Sequence, residues 1–264
     1  MRFDAEADRW EGQSIRYWQS LWQIPELHVL EITASTNDDV RLLGAAGAPS
    51  GTVVIAERQS AGRGQKGRAW FGTAGRSLHF SMLLRADGAF ECLSAAPVRV
   101  GLVAARALAE AVKLRLTLKW PNDLQFEGRK IGGVLCESVL DSTLQLVVGI
   151  GVNVTQQEED FPPELRDTAT SLAIASNRVM QRAVAAGALA RSLARQGPGI
   201  AQPFSTSELS ELATLDALRG RPIELNGVPA GIARGITAEG RLRVEQPDGI
   251  TEYHTGTVRL AELS

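Results

Sequence analysis

Three glycines and three cations precede a tryptophan in the stretch Gly62-Arg63-Gly64-Gln65-Lys66-Gly67-Arg68-Ala69-Trp70. Glycine lets the backbone turn tightly and expose its N–H groups, and cations interleaved with it make a cradle for anionic oxygens. Trp70 adds a ring face on which a nucleobase or a guanidinium can stack. For the cluster alone, a solvated basic surface loop is the plain alternative. Three more segments put polar groups at strand boundaries. Lys119-Trp120-Pro121-Asn122-Asp123 falls at a strand end, Gly128-Arg129-Lys130-Ile131-Gly132-Gly133 starts a strand with a lysine, and Gly149-Ile150-Gly151-Val152-Asn153 delivers an amide from an apolar strand. Rigid elements position side chains well at such places, and glycine within a strand marks close approach by a ligand or another backbone. Each also has an ordinary reading: a strand-end turn, an exposed hairpin cation, a satisfied asparagine.

Two phosphate-binding signatures compete for the loop, and neither fits. It reads G-x-G-x-x-G with Asp87 about twenty residues on, as a dinucleotide site does. Yet Phe71-Gly72-Thr73-Ala74-Gly75 cannot begin the helix whose N-terminus would hold the pyrophosphate. A Walker A loop needs Lys and Ser or Thr after Gly67, where this chain has Arg68 and Ala69. No metal motif is visible, since His28, His79 and His254 stand isolated from one another and from Cys92 and Cys136. There is no G-x-S-x-G elbow.

The elements that must carry these groups follow from pattern. Residues 5–22 read as a helix with Trp10, Trp18 and Trp22 on a face that packs against the main domain, ended by Pro25. Residues 29–32 read as a strand. Ser35-Thr36-Asn37 with Asp38 and Asp39 starts a helix. Strands follow at 52–56 and 77–84, then a long helix at 94–114. Further strands are expected at 116–120, 124–126, 131–139 and 144–154, with a turn at Asp141-Ser142. Residues 182–195 and 207–219 read as helices, the last capped by Ser207. From residue 220 the texture changes to short β-like pieces (222–225, 231–236, 242–244 and 251–253) separated by glycine-rich turns, as in a small barrel. The pattern is α+β.

The chain has 264 residues and a net charge of −2, which excludes a generally basic nucleic-acid binder but not a local basic patch. Its start is acidic and polar, unlike a signal peptide, and no stretch is long and apolar enough to span a bilayer. Two distant cysteines at this size point to a reducing compartment. A cytoplasmic protein is expected.

Taken in order, these segments resemble the catalytic domain of biotin protein ligases, from roughly residue 29 to the C-terminus. That family shows S-T-N, Q-x-x-G-R-G-x-x-G-R-x-W, K-W-P-N-D, R-K-x-x-G and G-x-G-x-N. Here they are Ser35-Thr36-Asn37, Gln59 through Trp70, Lys119 through Asp123, Arg129-Lys130 with Gly133, and Gly149 through Asn153. The resemblance implies a mixed-sheet catalytic domain packed with helices, akin to class II aminoacyl-tRNA synthetases, over residues 1–219 with an N-terminal helix at 1–25. A small SH3-like barrel would occupy residues 220–264. It implies ATP and biotin as substrates, Mg2+ held through the ATP phosphates rather than by a protein motif, and a biotin carboxyl carrier protein as acceptor. Ser35, Thr36, Asn37, Gln59, Gly62, Gly64 and Gln65 would bind biotin. Arg63 and Lys130 would hold its carboxylate and the phosphate it attacks. Arg68, Trp70, Lys119, Asn122 and Asn153 would contact the nucleotide, and Asp123 would orient the acceptor lysine. The resemblance implies no nucleic acid, no membrane, and a monomer or homodimer.

The chain departs from the family at Gln65, where many members carry Arg, with Lys66 adjacent. Members that repress transcription carry an N-terminal helix-turn-helix domain, and fewer than thirty residues precede the first core strand here. A biotin-dependent DNA-binding regulator is therefore not expected. A lipoate or octanoate protein ligase or transferase is the competing enzyme.

Overall fold

A computed structural model describes residues 6–85, 92–140 and 144–261; Asp87 and the expected turn at Asp141-Ser142 lie outside them. The chain enters through a short hairpin, β1 (Arg9–Trp10) and β2 (Gln13–Ser14), before α1 (Ile15–Trp22). This corrects the helix expected from residue 5. Glu11 and Gly12 both take positive φ, 45° and 81°, the backbone of a two-residue hairpin turn. The helix begins only where the Ser14 hydroxyl accepts from the Tyr17 N–H at 3.2 Å. It ends on left-handed Gln23, two residues ahead of Pro25. The tryptophans pack inward: Trp22 stacks on Trp18 at 5.5 Å and meets Trp10 edge-on at 6.1 Å.

The central elements are β3 (Leu27–Thr33), α2 (Thr36–Ala45), β4 (Val53–Gln59), β5 (Ser77–Arg85), α3 (Ala96–Val112), β6 (Thr117–Lys119), β7 (Asp123–Phe126), β8 (Arg129–Leu140) and β9 (Leu144–Asn153). α4 (Leu172–Ser176), α5 (Arg182–Gln196) and α6 (Thr206–Leu215) follow. α4 is too short to show a helical period and was not expected. α6 starts on Ser205 rather than Ser207, because Ser205 and Glu208 form a reciprocal capping box.

The seven strands order as β3-β4-β5-β9-β8-β7-β6. β3 and β4 are parallel, joined through α2, and all other pairs are antiparallel. Side chains alternate across such a sheet. One face sets Val53, Ile55, Phe80, Met82, Val148, Ile150 and Val152 into the core beneath α1, α3 and α5. On the other face α2 covers only Leu30, Val54, Ala56, Leu83 and Val147 with its own Val40 and Leu43. Beyond α2 that face carries Ser81, Gly133, Gly149 and Gly151, and the small residues leave a cavity.

The C-terminal strands form their own antiparallel sheet: β10 (Pro222–Leu225), β11 (Val228–Ile236), β12 (Leu242–Gln246), β13 (Gly249–Tyr253) and β14 (Val258–Leu260), ordered β13-β12-β11-β10-β14. β14 is three residues long and was not expected; it forms by pairing with β10. This sheet docks on the rest of the chain through Trp120, just after β6, whose indole N–H donates to Gly240 O at 2.9 Å, and through Phe204, just before α6, whose N–H donates to Ala238 O at 2.8 Å.

Candidate active site

The cavity has a volume of about 450 Å³. Its floor exists because three strand positions lack side chains. A Cβ on Gly149 would come 2.3 Å from Asn37 Oδ1, and one on Gly151 would come 2.3 Å from the Trp70 ring. A Cβ on Gly133 would come 3.5 Å from the same ring. The indole therefore packs where a side chain on Gly151 would stand.

At the α2 end the lining is neutral and hydrogen-bonded. Gln59 Oε1 accepts from the Thr36 N–H at 2.8 Å and lies 3.1 Å from its hydroxyl. Ser81 Oγ sits 2.7 Å from both Thr36 Oγ1 and Asn37 Oδ1, and Asn37 Nδ2 donates to Glu137 at 2.6 Å. Ser35 caps α2 without a side-chain bond to it.

The other end is cationic. Lys130 owes its direction to a β-bulge. β7 and β8 pair Leu124 with Gly132 and then Gln125 with Lys130, so Ile131 is the extra residue. A regular strand would put Lys130 and Gly133 on opposite faces; the bulge returns Lys130 to the cavity. Its ammonium lies 2.6 Å from Asp123 Oδ1 and 5.5 Å from the Trp70 ring centroid. Burial pushes the Lys119 ammonium below its ordinary range; nearby Lys130, Arg259 and Arg68 add to this, and Asp123 opposes it. A site that destabilises its own cations is suited to an anionic ligand.

The glycine-rich loop folds as a small hairpin, with Gly64 N–H bonded to Arg68 O at 2.7 Å and Trp70 N–H to Gly62 O at 2.9 Å. Arg63 makes a two-bond pair with Asp38 at the start of α2, both at 2.8 Å. Gln65 lines the cavity, whereas Lys66 does not. Lys66 adopts left-handed backbone (φ 58°), and its ammonium bonds Asn226 Oδ1 at 3.1 Å in the turn between β10 and β11.

Every site residue expected from the sequence lines this one cavity except Gly62, which ties the loop together from behind. Asn122 Nδ2 donates to Val134 O at 2.7 Å and Asn153 Nδ2 to Thr170 O at 3.0 Å, so both amides also hold neighbouring backbone. Sequence reasoning missed Ser81 and His79 in the wall, and Asp38 and Glu137 behind it. The signal for the first two was present. In Ser77-Leu78-His79-Phe80-Ser81-Met82 the polar residues recur every second position within an otherwise buried strand. His79 Nδ1 donates to Ala56 O at 3.1 Å, and burial pushes its pKa down, leaving a neutral ring with Nε2 turned toward Gly72.

A cavity with one neutral and one cationic end, on a mixed sheet, suits a ligand with an uncharged polar head and an anionic tail, as an acid-activating ligase requires. Residues 29–153 match the Biotin/lipoate A/B protein ligase family, and residues 220–260 match the Biotin protein ligase C terminal domain. The bifunctional ligase/repressor BirA of Bacillus subtilis is 32% identical over 238 residues, covering 87% of this chain and 72% of that protein. The biotin–[acetyl-CoA-carboxylase] ligase of Mycobacterium tuberculosis is 32% identical over 231 residues, covering 82% of each. The biotin protein ligase of Aquifex aeolicus, solved with biotin and ATP, superposes with a TM-score of 0.74 at 28% identity, covering 90% of this chain and 100% of that one. The chain belongs to the biotin protein ligase family.

Proposed function

We propose that the protein activates biotin with ATP in this cavity and passes it to a lysine of a biotin carboxyl carrier protein. The observation that carries the reading is the cavity's polarity: a neutral hydrogen-bonding end at Thr36, Gln59 and Ser81 and a cationic end at Lys130, Lys119 and Arg68. The bicyclic head of biotin fits the first and its carboxylate, with the α-phosphate, the second. The carboxylate oxygen attacks the α-phosphorus and pyrophosphate leaves. Fixed cations and loop N–H groups offset the repulsion between two anions. The amine of the carrier lysine then attacks the acyl carbon of biotinyl-AMP and AMP leaves. No enzyme nucleophile is required.

Trp70 supports an adenine contact, since its indole N–H is buried without a partner in the structure. Among the described residues no three acidic, His or Cys side chains gather around a point. Asp123 is the acidic residue of the cavity lining. Mg2+ would be held chiefly by the ATP phosphates, where it would neutralise charge on the leaving pyrophosphate. Arg63, engaged with Asp38, must swing about its side chain to meet the carboxylate. We take the chain to divide at residues 219 and 220, and the protein to work in the cytoplasm as a monomer or homodimer. No helix of the described residues is long and apolar enough to cross a membrane. Incubation with ATP, Mg2+ and biotin should yield biotinyl-AMP and pyrophosphate. Activation of lipoate or octanoate in place of biotin refutes the assignment.

A further inference from the structure

The neutral end of the cavity has a fixed direction. Asn37 is 4% exposed, and its Nδ2 lies 2.6 Å from Glu137 Oε2, on β8 outside the cavity lining. A carboxylate offers only acceptor oxygens, so the Asn37 amide must turn its NH2 to Glu137 and its oxygen away. That oxygen lies 2.7 Å from Ser81 Oγ and can only accept, so the single Ser81 proton goes to it. Ser81 Oγ is also 2.7 Å from Thr36 Oγ1, and with its own proton committed it must accept there. The Thr36 proton, which also has Gln59 Oε1 within reach at 3.1 Å, is drawn to the shorter contact, so the bonds run one way: Thr36 to Ser81, Ser81 to Asn37, Asn37 to Glu137. Gln59 is oriented separately, because its Oε1 takes the Thr36 N–H and its NH2 is left to donate. The wall therefore presents lone pairs at Ser81 and Thr36 and N–H donors at Gln59. A cyclic urea, with two N–H donors flanking one carbonyl acceptor, is the complement of that pattern.

We propose that Glu137 is a positioning residue that fixes the Asn37 amide and, through Ser81 and Thr36, keeps lone pairs turned toward the ring N–H groups of the cyclic urea of biotin. The inference rests on the reading that this end of the cavity takes the biotin head. Without Glu137 the Asn37 amide can turn over, and Ser81 then meets an NH2 and must reverse its proton. The wall would then offer a proton where the ring N–H groups of the ligand need lone pairs.

The test is binding calorimetry with biotin and with 2-iminobiotin, whose cyclic guanidine carries N–H donors at the carbonyl position. Melting temperature and ATP affinity are recorded alongside. Glu137→Ala should weaken biotin and 2-iminobiotin alike, about tenfold or more, a loss of the size of one charge-assisted hydrogen bond, because both carry the ring N–H pair while Gln59, which faces the carbonyl position, is oriented independently. ATP affinity should stay near that of the parent. Glu137→Gln, which keeps an amide oxygen for Asn37, should recover most of both losses. If Glu137→Ala does not fold, Asn37→Asp decides: it sets two carboxylates face to face and should weaken biotin, and adding Glu137→Gln should restore it by supplying a donor. Unchanged biotin affinity in folded Glu137→Ala overturns the inference, as does failure of the second change to rescue Asn37→Asp. A parent protein that binds ATP but not biotin overturns the functional reading itself, and this inference with it.

Discussion

Replacing Lys130 by alanine would remove more than a cation. Its ammonium lies 2.6 Å from Asp123 Oδ1, and both groups line the cavity where the proposed reaction brings two further anions together. The loss has two parts. A hydrogen bond to a charged group contributes about 1.5–3 kcal/mol, or about 10- to 150-fold in rate. The second part is Asp123, left without its counter-ion. A carboxylate about 6 Å from a phosphate at an effective dielectric of about 20 repels it by about 3 kcal/mol. Partial exposure and nearby Lys119 screen that to about 1 kcal/mol. Lys130→Ala should therefore lower kcat/KM about 10²- to 10³-fold, measured as biotin-dependent exchange of pyrophosphate into ATP. Adding Asp123→Asn removes only the second part, so the double variant should run about fivefold faster than Lys130→Ala alone. Pyrophosphate exchange reads only the first half-reaction, so a role of Asp123 toward the acceptor lysine does not enter. A double variant no faster than Lys130→Ala would mean that Asp123 is not acting as a counter-ion and that the reasoning is wrong.

With Lys66 bound to Asn226 rather than turned into the cavity, Gln65→Arg should slow release of biotinyl-AMP about tenfold, whereas Lys66→Ala should leave release nearly unchanged. A large acceleration in Lys66→Ala, followed by rapid quench, would restore Lys66 as the phosphate-gripping cation. Gly149→Ala pushes a methyl group against Asn37, itself pinned by Ser81 and Glu137. It should cost about 1–3 kcal/mol in urea unfolding and most of the biotin affinity; a normal calorimetric titration would contradict the packing described. Burial alone would raise the Glu57 carboxyl, but the bond and charge of Arg182, with the Trp10 and Gly75 N–H groups, hold it below the ordinary carboxylate range. Its stabilisation is thus present above the unfolded pKa and lost as pH falls through the lower folded value. Glu57→Gln should lower Tm by about 5–10 °C at pH 7 and by progressively less toward acid pH. A pH-independent difference sinks this account.

The charged half of the site was legible in the sequence because its residues come in clusters no ordinary strand needs, such as Arg129-Lys130 before two glycines. Ser81 and Glu137 were not, since one hydroxyl or carboxyl in an apolar strand looks like tolerated noise until its partners 44 and 100 residues away are known. The same locality limit explains the fold. β9 shows in composition, since residues 146–152 are free of polar side chains, and β5 ends in Met82-Leu83-Leu84. β14 exists only through pairing with β10, and the β1–β2 hairpin depends on the φ of Glu11, which aromatic spacing conceals. The bulge at Ile131 has no local signature, although it decides where Lys130 points.

The alternation along β9 has a consequence for how this gene can change. Leu146, Val148, Ile150 and Val152 support the fold, while Gly149 and Gly151, of the opposite parity, are emptied for a ligand. A point substitution therefore alters one face of the strand at a time. Deleting a single codon in β9 would do both kinds of damage together. Valine and isoleucine would fill the cavity, and glycines would enter the core where α3 and α5 need bulk. Descent with modification through this strand is open to exchange of letters and closed to the loss or gain of one.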